Sequence, residues 1–152
     1  LSQSLPPDQL AVLIGGWFLK CREAIETRGG MINKYLGDGF FAYWTAADGS
    51  ADAVAAAILQ LRQLQELARP AFRQVVHVGA VSVGGAATMG EESLSGPAVN
   101  FVFRMEKLAG VLRQSRLLSE PAANALKDVI RSESLGEHPV PGFEGSHPLF
   151  GW

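Results

Sequence analysis

Two short apolar segments that meet at a tight turn restrict the fold of this chain more than any other feature. The segments are Met31–Leu36 and Phe40–Trp44, and Gly37-Asp38-Gly39 lies between them. An Asp-Gly pair between apolar runs is typical of a β-hairpin with a two-residue turn. Apolar residues at helical spacing predict one helix before the hairpin, near 8–28, and a second after it, near 50–68. A hairpin between two helices excludes a simple alternation of parallel strands and helices. The order therefore predicts an α+β sandwich on a mostly antiparallel sheet, with the helices on one face.

The second half of the chain continues the same pattern. Valine-rich residues 74–83 predict a strand, and two further helices are expected near 97–110 and 120–127. Shorter strands are expected at 116–118, 129–135 and 139–150. The length of 152 residues fits one domain, so the prediction is a single domain over 1–152.

The composition and charge are those of an ordinary globular domain. Apolar residues make up 47% of the chain and charged residues 18%, which is ordinary for a soluble domain. The net charge of −2 gives no indication of a nucleic-acid polymer as partner. Cys21 is the single cysteine, so an internal disulfide is impossible and a reducing, cytoplasmic location is expected. The histidines, at 77, 138 and 147, lack the spacing of metal ligands.

Four polar residues stand out as candidates for chemistry. Asp38 lies at the predicted hairpin tip, where an Asp-Gly pair also occurs for purely conformational reasons. Lys34, four residues earlier, could be an ordinary solvated lysine. Asn100 and Arg104 are four residues apart and share one helix face. That pair suits a surface strip, a helix-packing contact or an anion site, since a guanidinium forks onto phosphate oxygens.

Three segments, in order along the chain, carry a family resemblance. Residues 30–44, GMINKYLGDGFFAYW, are similar to a G-x-x-x-K-x-x-G-D-x-x-x-A-x-[FW] hairpin. Residues 77–84, HVGAVSVG, are similar to an H-x-G-x-x-x-x-G strand, and 93–104, SLSGPAVNFVFR, to T-x-x-G-x-x-V-N-x-x-x-R. Weaker likeness continues through 117–120 and 141–144. Together these segments resemble the catalytic domain of class III adenylate/guanylate cyclases, over essentially the whole chain.

The resemblance implies a role for each matched residue. Asp38 would be one of two aspartates that hold two divalent cations, Mg²⁺ or Mn²⁺. Lys34 and Ser93 would contact the purine, as in bacterial-type adenylate cyclases, where guanylate cyclases typically carry glutamate and cysteine. Asn100 would orient the ribose, and Arg104 would stabilise charge on the phosphates. The resemblance thus implies that ATP is converted to cyclic AMP and pyrophosphate. The sites would lie across a head-to-tail homodimer.

The chain also departs from the family pattern. The family's first strand, with its first metal-binding aspartate, is expected before Leu1, so the domain looks N-terminally truncated and the sheet is expected to lack a central strand. Pro97 stands where many members have aspartate, and Pro141 where many have a lysine that reaches the triphosphate. An upstream regulatory domain is a possible partner. The alternative to an enzyme is a degenerate cyclase-fold module that senses nucleotides or dimerises without catalysis.

Overall fold

The computed structural model describes residues 3–4, 9–15, 18–36, 39–45, 50–67, 72–79, 82–84 and 93–152. The strands in these residues are β1 Gln3–Ser4, β2 Gln9–Gly15, β3 Met31–Leu36, β4 Gly39–Trp44, β5 Gln74–Gly79, β6 Ser82–Gly84, β7 Ser93–Ser95, β8 Arg116–Ser119, β9 Glu133–Pro139 and β10 Ser146–Gly151. The helices are α1 Phe18–Glu26, α2 Ala51–Leu67, α3 Pro97–Leu112 and α4 Glu120–Ala125. No helix among the described residues is long and apolar enough to span a membrane.

Seven of these strands form one sheet in the order β3-β4-β2-β5-β8-β10-β9. The β5–β8 pair is parallel, and each other neighbouring pair of this sheet is antiparallel. A small second sheet has the order β1-β6-β7. This confirms the predicted α+β class and its mostly antiparallel sheet. It also divides the strand predicted over 74–83 between the two sheets, as β5 and β6.

The predicted hairpin is confirmed by the pairing of β3 with β4. Leu36 is the ladder partner of Gly39, and Met31 is the partner of Tyr43. A bulge shifts the register between Ile32 and Lys34. Residues 37 and 38, at the turn itself, lie outside the described residues.

The helix predicted near 8–28 is wrong in its first half. Residues 9–15 form β2, which stands between β4 and β5 with Val12 opposite both Ala42 and Val76. The run QLAVLIG is continuously apolar after its first residue, which suits a strand inside a sheet that is covered on both faces as well as it suits a helix. As a strand it pairs with the backbone groups of both neighbours, and the helix begins only at Phe18. The central place in the sheet, expected to be empty, is therefore filled by β2.

Helices cover both faces of the large sheet, not one as predicted. Phe40, Ala42 and Trp44 of β4 pack in the core beneath α1, α2 and α4, whereas Phe41 packs in a second core beneath α3. The reason lies in β4 itself, because all six of its residues are buried. Successive side chains of a strand point to opposite faces, so an uninterrupted buried strand requires cover on both sides.

The helices predicted near 50–68, 97–110 and 120–127 are confirmed, but the last two strands begin later than predicted. After α4 the chain continues in turns, with the amides of Val129 and Ile130 both donating to the carbonyl of Leu126. Ile130 is buried there, so its apolar character serves the core and not a strand. β9 therefore begins at Glu133. Gly142 and Gly145, with φ of 89° and 77°, hold the turn before β10.

Gly30 offers a stability test of the packing between α1 and β4. Its amide donates to the carbonyl of Ile25 at 3.0 Å, and a Cβ at Gly30 would lie 2.7 Å from Cε2 of the fully buried Trp44. We expect Gly30→Ala to lower the free energy of unfolding by about 1–3 kcal/mol, because the buried indole of Trp44 has no room to move away from the added methyl group. Gly110→Ala is the control in denaturant titrations. It lies inside α3, meets only the Arg73 guanidinium at 3.4 Å, and should stabilise by up to ~1 kcal/mol. Equal effects of the same sign would contradict this account.

Candidate functional site

The solvent face of α3 carries two of the predicted site residues. Asn100 and Arg104 are both exposed, while the opposite face of the helix is buried through Ala98, Val99, Phe101, Val102, Met105 and Ala109. Four residues make just over one helical turn, so the two polar groups lie one above the other. Neither side chain has a hydrogen bond or ion pair to any part of the chain that the structure describes. The amide and the guanidinium are therefore both available to a ligand or a partner.

Aromatic contacts fix the rotation of α3 about its axis. The ring of Phe101 lies 4.5 Å from the ring of His77 and 5.0 Å from that of Phe143, measured between centroids. Phe103 packs against Phe41 of β4 at 5.4 Å. Because Phe101 and Phe103 directly follow Asn100 and directly precede Arg104, these contacts hold the polar pair towards solvent.

Lys34 and Ser93 are placed by their backbones. Lys34 is the ladder partner of Phe41 and belongs to β3, the edge strand of the seven-stranded sheet. Ser93 begins β7, which pairs with β6 and leads through Gly96 directly into α3. Of the two predicted purine-contacting residues, the structure places the backbone of Ser93 next to the start of α3, and it places Lys34 on the edge strand.

Asp38 lies outside the described residues, but its flanking residues show which end of the strands it adjoins. Gly39 is the ladder partner of Gly15 in β2, and Gln74 is the ladder partner of Ile14, the residue before it. The start of α3 lies at the other end of β5, since a Cβ at Gly79 would be 2.7 Å from that of Ala98. Six residues of strand span ~17 Å. Leu36 and Gly39, which flank the hairpin turn, and the start of α3 therefore lie at opposite ends of the strands of this sheet.

Sequence reasoning missed a buried contact that supports the same helix. Nδ1 of His77 lies 2.7 Å from Oγ of Ser119, which also accepts the amide of Ala122 at 3.3 Å. Burial, with a smaller effect from the positive charge of His147, lowers the pKa of His77 from 6.5 to about 4. At neutral pH the imidazole is therefore uncharged, and it ties β5 to β8 and to Phe101 of α3. A single histidine in a valine-rich strand gave no signal of its partner, which lies 42 residues away.

Among the described residues, no group of three or more histidine, cysteine, aspartate or glutamate side chains could hold a metal ion. Asp38, the one residue of this chain that the resemblance assigns to a cation, is not among the residues described.

The seven-stranded sheet with helices on both faces is found in a known class of domain. The chain has the fold of the catalytic domains of class III nucleotide cyclases. It is similar to the adenylyl cyclase CyaB from P. aeruginosa, with 18% identity and a TM-score of 0.77 over 96% of this chain and 94% of that one. It is also similar to the guanylyl cyclase Cya2, with 17% identity and a TM-score of 0.72 over 99% and 93%.

A third similar structure, a bacterial light-regulated adenylyl cyclase, is longer than this chain. The identity is 19% and the TM-score 0.72, and the match covers 99% of this chain but 52% of that one. The chain thus spans about half the length of that protein. Neither a scan against models of protein families nor a search of the curated proteins finds a match. Adenylyl and guanylyl cyclases both share the fold, so the fold alone does not select the base.

Proposed function

We propose that this domain is the catalytic domain of an adenylate cyclase, which converts ATP to cyclic AMP and pyrophosphate. The observation that carries the proposal is the exposed pair of Asn100 and Arg104 on α3. Both side chains lie on a face held towards solvent by the Phe101 and Phe103 contacts, and neither has a partner within the described residues. A carboxamide with a guanidinium one turn away suits a ligand that presents a ribose and phosphates together.

The proposed reaction is an internal phosphoryl transfer. The ribose 3′-oxygen forms a bond to the α-phosphorus while the bond from that phosphorus to the bridging oxygen of pyrophosphate breaks. The hydroxyl proton leaves to solvent. Asn100 would hold the ribose so that its 3′-oxygen faces the phosphorus. Arg104 would stabilise the negative charge that grows on the phosphate oxygens, and one well-placed donor of this kind contributes ~3–4 kcal/mol.

Asp38 is the residue of this chain that would hold a divalent cation. It is one of the two residues between the end of β3 at Leu36 and the start of β4 at Gly39. Mg²⁺ is commonly held by one or two carboxylates together with phosphate oxygens of the substrate, so a single turn aspartate fits as one ligand. When bound, two such cations, Mg²⁺ or Mn²⁺, would lower the pKa of the attacking hydroxyl and neutralise the charge of the leaving pyrophosphate.

We propose further that each site is shared between two chains in a head-to-tail homodimer. The strand register supports this, because Leu36 and Gly39, beside the hairpin turn, lie at the opposite end of the strands from the start of α3. A second copy, related by a two-fold axis, would bring its α3 face to the first copy's hairpin, and the reverse. Two sites would result, each with Asp38 from one protomer and Asn100 and Arg104 from the other.

Base preference tests the adenylate assignment. We expect the full-length protein to cyclise ATP in preference to GTP, because a mismatched purine edge leaves buried groups of the site unpaired. Lys34→Glu combined with Ser93→Cys should erode that preference, measured as the ratio of kcat/KM for the two nucleotides. Lys127→Glu, which makes the same charge change at an exposed position after α4, is the control and should leave the ratio unchanged. Equal or greater use of GTP by the unmutated protein would refute the assignment.

A regulatory module that binds nucleotides without cyclising them is the second candidate. Pro141 favours it, since this exposed residue in the turn before β10 carries no charge where many cyclases present a lysine. The two candidates differ in a simple assay. A module would bind ATP in equilibrium measurements while producing no cyclic nucleotide with either Mg²⁺ or Mn²⁺.

A further inference from the structure

An arginine-rich pocket lies at the end of the sheet where β8 begins and β10 ends. Its volume is about 510 Å³, within the ordinary range for sites that hold small molecules. Four arginines line it, Arg62, Arg113, Arg116 and Arg131, together with one acidic side chain, that of Glu133. The whole chain has 13 lysines and arginines and a net charge of −2. The concentration of positive charge in one pocket is therefore a local feature and not a consequence of composition.

Arg116 forms the fixed floor of this pocket. Its Nε donates to the main-chain oxygen of Trp152 at 2.5 Å, and its Nη1 donates to Oε1 of Gln65 at 3.3 Å. Gln65 is itself buried and donates to the carbonyls of Phe72 and Ser115. These contacts set the geometry of the Arg116 guanidinium before any ligand arrives.

Arg116 is surrounded by more positive charge than negative charge. Burial is the largest cause that lowers its pKa below the usual range, and the charge of Arg62 adds to it, against a smaller opposing effect of Glu66. Arg62, Arg113 and Arg131 make no ion pair within the described part of the chain. Four arginines against one glutamate in the lining leave an excess of positive charge, and like charges that lie close together raise the energy of the free protein. A bound anion would remove this repulsion.

Arg113 adds an independent observation. It follows the last residue of α3 with φ of 56° and ψ of 42°, the left-handed conformation. It is the only non-glycine residue with positive φ among those described. Glycine is preferred at this position because a side chain there is strained. Arg113 lines a basic pocket in a conformation that favours glycine. Such strain is common where a side chain has a functional role.

We propose that this pocket binds the phosphate group of a small phosphorylated molecule. Several forked donors around one cavity match the three or more oxygens of a phosphate better than the two of a carboxylate. Ser115 and Gln114 supply neutral hydrogen-bonding groups in the same lining. The pocket adjoins the C-terminal end of α3, whereas Asn100 lies near its start, so the proposal does not depend on the cyclase reaction.

Direct binding measurements test this proposal with inorganic phosphate, pyrophosphate and, as a carboxylate probe, citrate. Calorimetry on the full-length protein without divalent cations should detect phosphate or pyrophosphate at millimolar concentration or below. Arg131→Gln and Arg62→Gln should each weaken binding about tenfold or more. Arg28→Gln, on the turn after α1, should have no effect on phosphate binding. Tighter binding of pyrophosphate than of phosphate would identify a polyphosphate as the ligand, and the reverse order a single phosphate group. Equal losses in Arg28→Gln, citrate binding as tight as phosphate, or no binding of either phosphate would overturn the proposal.

Arg113→Gly separates a binding role from a structural one. Removing the side chain relieves the left-handed strain, so the melting temperature should rise by about 2 to 4 °C. The same variant should weaken phosphate binding about tenfold. A variant that is more stable but binds as tightly as the unmutated protein would show that Arg113 does not contact the ligand, and would count against the pocket as assigned.

Discussion

Lowering the pH from 7 to 4 is expected to destabilise the folded protein by roughly 3 kcal/mol through His77 alone. Its pKa is 6.5 when unfolded and is lowered to about 4 in the fold, first by burial and then by His147. Below 6.5 the unfolded chain takes up a proton that the folded chain does not. Stability is therefore fully present above pH 6.5, falls as the pH decreases, and levels off below about 4.

The contribution of His77 can be isolated with a non-titrating variant. His77→Phe retains a ring against Phe101 but cannot be protonated. As the pH falls from 7 to 4, the unfolding free energy of the unmutated protein should therefore decrease relative to that of the variant. Carboxylates titrate in both proteins and cancel in the difference between the two. His138→Gln serves as the control, since that half-exposed residue bonds only to the carbonyl of Leu135 among the described residues. A difference that stays constant with pH would contradict the assignment.

The parts of the fold that sequence predicts well are those fixed by neighbouring residues. The hairpin of β3 and β4 follows from a turn signal within two apolar runs, and α2 and α3 follow from helical periodicity. Residues 9–15 were predicted as helix because their apolar run fits either structure. Their partners, in β4 and β5, lie about 30 and 60 residues further along the chain, so nothing local identifies them as a strand.

The same distinction holds for the sites. Asn100 and Arg104 were identified because both belong to one helix, where spacing alone puts them on one face. The contact between His77 and Ser119 joins two separate strands. The arginine pocket draws on α2, the end of α3, β8 and the segment before β9, so its four charges are scattered in the sequence and converge only in the fold.

The strongest test of the shared cyclase site mixes two inactive variants. Asp38→Ala removes the proposed cation ligand, and Arg104→Ala removes transition-state stabilisation, a loss of ~100- to 1,000-fold. Each homodimer of the full-length protein should be nearly inactive. If the sites are shared, a mixed dimer has one site with both lesions and one with neither. Random pairing makes about half of the dimers mixed, so roughly a quarter of the unmutated activity should return on co-expression.

A second mixture supplies the matched control for this rescue. Asn100→Ala and Arg104→Ala lie on the same helix, so both lesions belong to the contribution that one protomer makes to a site. Every site in their mixed dimer carries one lesion or the other, and co-expression should restore nothing. Rescue by both mixtures would exclude the head-to-tail arrangement. Absence of rescue from Asp38→Ala with Arg104→Ala, in a protein that is active when unmutated, would mean that each chain holds a complete site. No activity in any combination, the unmutated protein included, would favour the regulatory module.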